Sequence, residues 1–156
     1  MVMKDKKRML LIEQLDAKLL YFKEVNNLVL PSAGWTKSVR TALNMSLRQL
    51  GKILKISPQS VGEMESREAN GTITINTLRD LARGLNMQLV YGFVPNDGSI
   101  DAMITARAEE IAKEIVERTN ATMALEDQQN TNERIAKAIA QKTEEIKTEM
   151  PKYLWD

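Results

Sequence analysis

The chain of 156 residues contains neither cysteine nor histidine. With them go disulfides, thiol nucleophiles, imidazole acid–base chemistry and nearly every zinc site. An enzyme would have to work with carboxylates, lysines, hydroxyls or a cofactor. Carboxylate pairs exist, but no motif frames a pocket around them, so the sequence reads as non-enzymatic, with no cofactor and no metal. Long apolar runs are also missing. The basic start MVMKDKKRMLLIEQL has only Met9–Ile12 as an apolar run before acidic residues follow. That is too short for a membrane span and wrongly flanked for a signal peptide. The expectation is a soluble, cytoplasmic protein.

A global excess of one charge is absent too, the net being +1. The charge is nevertheless uneven. Residues 34–95 hold 8 Lys/Arg against 4 Asp/Glu, a net of +4, and residues 96–156 hold 8 against 13, a net of −5. A basic middle and an acidic end imply different partners for the two regions. The length suits one domain with appended elements, or two small ones.

Periodicity divides the chain in three. Residues 1–30 read as an N-terminal helix, with Leu11, Leu15, Leu19 and Phe22 at spacings of three and four. Pro31-Ser32-Ala33-Gly34 is a linker. Residues 34–95 read as four short helices and a strand. Trp35, Val39 and Leu43 stripe the first helix. Ser46 caps the second, Leu47–Leu54, and Ser57 caps the third, from Pro58 to about Ser66. Thr74 or Asn76 opens the fourth, carrying Leu78, Leu81, Ala82 and Leu85. Met87–Val94, β-branched and aromatic, is the one strand expected. A lone strand leaves backbone groups unpaired. Its simplest partner is its own copy across a two-fold axis, with Leu89, Val90, Tyr91 and Phe93 in the pairing; another protein's strand is the alternative. Residues 99–156 read as a C-terminal helical, partner-binding region. Ser99 caps a helix with Ile100, Ile104, Ile111 and Ile115 as its stripe, and a second helical pattern spans about Ala121–Lys147, polar over Glu126–Asn132.

The stretch RQLGKILKISPQSVGEMES carries the functional signal. Its second helix has only Val61 and Met64 as large apolar side chains and turns small, polar ones outward. Such a helix after a tight turn describes a helix-turn-helix, whose third helix enters the major groove. Gln59 suits adenine, Ser60 either base type, and Glu63 can accept from cytosine N4. Lys37, Arg40, Arg48, Lys52, Lys55 and Arg67 are candidate phosphate contacts, with Asn70 and Thr72 adding to them.

Residues Gly34–Pro95 resemble the Xre-type phage-repressor helix-turn-helix family, with Leu50, Ile56, Val61 and Glu65 at the family's places. More specifically, GWTKSVRTALNMSLRQLGKILKISPQSVGEMES, GTITINTLRDLARGLNMQLVYGFVP, TMALEDQ and LWD resemble the bacterial mobile mystery protein A family. That resemblance implies a mainly α, dimeric regulator or antitoxin, encoded beside a Fic-domain partner. Two departures stand out: Leu47 replaces a phosphate-binding Gln, and Gly62-Glu63 falls where a small polar residue and often a base are expected.

Fic proteins are restrained by a helix with Ser/Thr-x-x-x-Glu-Gly/Asn, and Thr122 and Glu126 fit that spacing, although Asp127 breaks the last position. Tyr153, Leu154 and Trp155 are candidate anchors for a bound partner. The leading expectation is an operator-binding repressor that neutralises a co-encoded Fic-type toxin. The alternative is a protein-interaction module that keeps the helix-turn-helix as scaffold and binds DNA weakly or not at all.

Overall fold

The fold is that of a computed structural model, which describes residues 2–125 and 131–156. Among the described residues seven helices follow one another: α1 Val2–Leu19, α2 Trp35–Ala42, α3 Leu47–Leu54, α4 Pro58–Asn70, α5 Ile75–Gly84, α6 Ile100–Leu125 and α7 Asn132–Glu149. Short 3₁₀ turns at Leu20–Phe22, Glu24–Asn27 and Lys152–Trp155 complete the described secondary structure. The chain divides into two units. One is Asn27–Tyr91; the other joins the residues up to Asn26 to those from Gly92 onward.

Local chemistry sets the helix ends in the first unit. Ser46 and Gln49 form a reciprocal capping box at α3, with Gln49 N–H donating to Ser46 Oγ at 3.1 Å and Ser46 N–H to Gln49 Oε1 at 2.8 Å. Ser57 accepts from Ser60 N–H at 3.0 Å and is followed by Pro58 at the first helical position. Thr74 caps α5 in the same way, accepting from Thr77 N–H at 3.2 Å. The turn between α3 and α4 closes through Lys55 in the left-handed region and a bond from Ile56 N–H to Gly51 O at 2.9 Å. That closure brings backbone so near that a Cβ on Gly51 would meet Ile56 O at 2.7 Å, so only glycine fits there.

Leu50, Val61, Leu81 and Leu85 form the core of this unit, with Val39, Leu54, Ile56, Met64 and Ile73 packed around them. Each fully buried Leu or Val contributes about 1.5–3 kcal/mol relative to exposure. Of the stripe expected on α2, only Val39 faces the core. Trp35 and Leu43 are exposed, and the inward positions belong to Thr36, Val39 and Arg40. Glu68 explains the helix's start: its carboxylate accepts from Trp35 N–H at 2.6 Å and Thr36 N–H at 3.1 Å.

The other unit packs α6 on α7, with α1 alongside α6. Ile104, Ala108, Ala112, Ile146 and Leu154 form its core. Residues early in α6 meet residues late in α7, as in the Lys147–Asp101 pair at 3.1 Å, so the two helices run antiparallel. Ser99 caps α6 as expected, accepting from Ala102 N–H at 3.0 Å. Asp16 adds a second anchor, accepting from Ile100 N–H at 2.7 Å and Asp101 N–H at 3.3 Å, where the helix dipole favours a carboxylate. On α1, Leu11 and Leu15 are exposed, whereas Ile12, Asp16 and Leu19 lie on the covered side. The expected N-terminal stripe therefore holds at Leu19 and Phe22 and fails at Leu11 and Leu15. On α6 the buried positions after Ile104 are alanines, which leaves Ile115 exposed.

The expected strand is corrected. There is no strand among the described residues, and Met87–Val94 carries no regular secondary structure. Its composition is that of a strand, but strand structure belongs to a pair of segments, and a single copy supplies no second segment.

Candidate nucleic-acid interface

Helix α4 has two faces set by its spacing. Val61, Met64, Glu65 and Glu68 turn inward, and Gln59, Gly62, Glu63, Ser66, Arg67 and Asn70 fall on the opposite side. The inward face is unusual in holding two carboxylates, and both are consumed. Glu65 receives Arg40 through two bonds, Nε to Oε1 at 2.6 Å and Nη2 to Oε2 at 3.0 Å, while Arg40 Nη1 donates to Met45 O at 2.8 Å. The hydrogen bond to Glu65 holds the Arg40 guanidinium above its ordinary pKa, against the opposing effect of burial and with coulombic attraction adding to it. The pair is buried, with side-chain exposures of 12% and 6%. Arg40 is therefore an internal strut between α2 and α4 and is withdrawn from the phosphate contacts expected of it.

The outward face is where the remaining expectations converge. Leu47, Pro58, Gln59, Gly62, Glu63, Ser66 and Arg67 line one open depression between the start of α3 and the exposed side of α4. Gln59 and Glu63 are exposed within it. Ser60 is half-buried, and its hydroxyl is shared with Ser57 at 2.8 Å, so it is already tied into the helix cap. Lys37, Arg48, Lys52, Lys55, Arg67, Asn70 and Thr72 are all exposed on the same unit. Ser66 was not legible as a site residue from composition, although its place one turn beyond Gly62 and Glu63 on the outward stripe signals it.

A capped helix, a tight left-handed turn and a second capped helix with a polar outer stripe are the parts of one known device. Residues 37–91 are an Xre-type helix-turn-helix domain. The helix-turn-helix family model matches those residues. Comparison with curated proteins and with solved structures gave no match. In DNA-binding helix-turn-helix domains the second helix of the pair enters the major groove, and α4 occupies that place in the order of helices here. Among the described residues no group of carboxylates is arranged to hold a metal ion, and no helix is long and apolar enough to cross a membrane.

Of the other expected site residues, Leu154 is fully buried in the core of its own unit. It is packing and not a surface anchor, a correction forced by the turn at Lys152–Trp155 that folds it inward. Tyr153 and Trp155, its neighbours, are exposed. Thr122 lies near the end of α6, exposed, with its hydroxyl donating to Arg118 O at 3.1 Å. Glu126 lies outside the described residues. Leu89 is half-buried, and Val90, Tyr91 and Phe93 are exposed, with Arg79 standing 5.8 Å from the Tyr91 ring centroid.

Replacing Gly62 by alanine tests the openness of the outward face. A Cβ there would meet only Leu47 Cδ1, at 3.7 Å. Gly62→Ala is thus expected to raise stability by about 0.5–1 kcal/mol through helix propensity, read from the urea midpoint. A loss of stability would mean the position is more crowded than the geometry indicates.

Proposed function

We propose that this protein is a cytoplasmic, sequence-specific DNA-binding repressor that acts on its own operon as a dimer and neutralises a co-encoded Fic-type toxin. One observation carries the DNA-reading part. Within a helix-turn-helix domain, α4 turns two of its three glutamates, Glu65 and Glu68, inward and bonded, and offers Gln59, Glu63, Ser66 and Arg67 outward. Gln59 reads adenine through its amide; Lys37, Arg48, Lys52, Lys55 and Arg67 hold phosphates. Gln59→Ala is expected to cost about 1–3 kcal/mol on the protein's preferred site and little on random DNA, measured by fluorescence anisotropy. Equal losses on both would remove Gln59 from base reading.

The dimer is proposed through Met87–Val94. Val90 and Phe93 are 71% and 80% exposed, and the segment has strand composition without a partner strand. A second copy pairing antiparallel satisfies both backbones and places two reading helices for half-sites about one helical turn apart. Val90→Pro removes a ladder donor and is expected to convert the dimer to monomer in sedimentation analysis. An unchanged mass would remove this segment from the interface.

The antitoxin part rests on the resemblance to the mobile mystery protein A family and on Tyr153 and Trp155, two aromatic side chains left exposed beside a buried neighbour. The product of the adjoining gene, co-expressed, is expected to copurify with the full chain and to lose it with Trp155→Ala. A second reading is favoured by Glu63, an exposed carboxylate on the face that would meet phosphates. It makes the chain a partner-neutralising module on a helix-turn-helix scaffold, and DNA binding that is absent or insensitive to salt would establish it.

A further inference from the structure

The depression on the outward side of α4 has an apolar part that phosphate contacts and amide readout leave unused. Leu47, the first residue of α3, Pro58, the first of α4, and Gly62 line it. With no Cβ at Gly62, nothing on that residue covers Leu47 Cδ1, which an added methyl would touch at 3.7 Å. A leucine at the start of α3 gives up a hydrogen bond that an amide there would make to phosphate. A glycine inside α4 gives up helix stability. Together the two leave a small apolar recess beside Gln59.

Base edges in the major groove present hydrogen-bonding groups almost everywhere, and their one apolar feature is the C5-methyl of thymine. Gly62 is three residues beyond Gln59, a rise of about 4.5 Å along the helix, and neighbouring bases are about 3.4 Å apart along a strand. We infer that the recess formed by Leu47, Pro58 and Gly62 receives a thymine methyl group on the base pair next to the one Gln59 reads. This inference rests on the DNA-reading function proposed above and adds its specificity: each half-site contains a thymine recognised by its methyl group alone.

The test begins with duplexes enriched by the full-length protein from a randomised pool. In the strongest duplex each thymine is replaced singly by deoxyuridine, which removes only the C5-methyl. One thymine in each half-site is expected to show about a fourfold loss of affinity, as for one buried methyl-sized group. Gly62→Ala, which has room to fold, places a methyl group against Leu47 Cδ1. It is expected to bind the same duplex more weakly and to bind thymine and deoxyuridine equally at that position.

Selective binding with no sensitivity to deoxyuridine anywhere would overturn the inference while leaving the DNA-reading function in place. So would a Gly62→Ala protein that kept the full preference for thymine. No enrichment from the pool at all would overturn the DNA-reading function and this inference with it.

Discussion

Arg40→Met is expected to destabilise the helix-turn-helix unit by about 3–5 kcal/mol, the cost of leaving one member of a buried ion pair behind. The substitution keeps the aliphatic bulk but strands the Glu65 carboxylate, a residue only 5% exposed, and leaves Met45 O without its guanidinium donor. A domain of this size has about 5–15 kcal/mol of stability in all, so the loss is a large share of it. Adding Glu65→Leu removes the orphaned charge, and the double variant is expected to be more stable than Arg40→Met alone. Urea unfolding of the three proteins measures this directly. A cost under about 1 kcal/mol for Arg40→Met, the figure for an exposed pair, would show that Arg40 is a surface cation after all.

Leu154→Ala is expected to cost the other unit about 2–5 kcal/mol, as for a large-to-small change in a closed core. Leu154 is fully buried with Ile104, Ala108, Ala112 and Ile146. Its main chain is fixed as well, since Arg107 donates from Nε to Leu154 O at 2.7 Å and from Nη2 to Asp156 O at 2.6 Å. The two alanines leave little bulk nearby to collapse into the space. Trp155→Ala, on a side chain 53% exposed, is expected to change stability by about 0.5 kcal/mol or less. The contrast separates a core residue from an exposed aromatic side chain one position away. Equal losses for the two variants would contradict the burial described here.

The parts of the fold that the sequence made legible are those with local causes. Ser46, Ser57, Thr74 and Ser99 are caps whose partners lie three residues on; Ser46, Ser57 and Ser99 stand where the sequence places them, and Thr74 is one of the two starts it offers for α5. The outward character of α4 was equally legible, because its apolar residues are too few to cover more than one side.

What the sequence concealed depends on distant pairing. The inward face of α2 uses Thr36 and Arg40, made compatible with burial by Glu68 and Glu65, which lie more than twenty residues away. Apolar periodicity therefore pointed to Trp35 and Leu43, which are exposed. Arg40 reads as a phosphate contact until Glu65 is placed on the inward side of α4 and requires a cation. In α6 the core is lined by Ala108 and Ala112, side chains too small to register as a stripe. Met87–Val94 shows the same lesson from the other direction: its residues favour a strand, but no residue type can supply the second segment.

The proposed reading of DNA by α4, with exposed cations of the same unit holding its phosphates, is tested by titrating the full chain against the DNA upstream of its own gene and against scrambled DNA of equal length, over a range of salt concentrations. Tighter binding to the upstream DNA is expected. The salt dependence is expected to be steep: Lys37, Arg48, Lys52, Lys55 and Arg67, if all engaged, give a slope of log affinity against log salt of about −4.5 per chain. Equal affinity for the two DNAs, with a slope near zero, would rule that reading out.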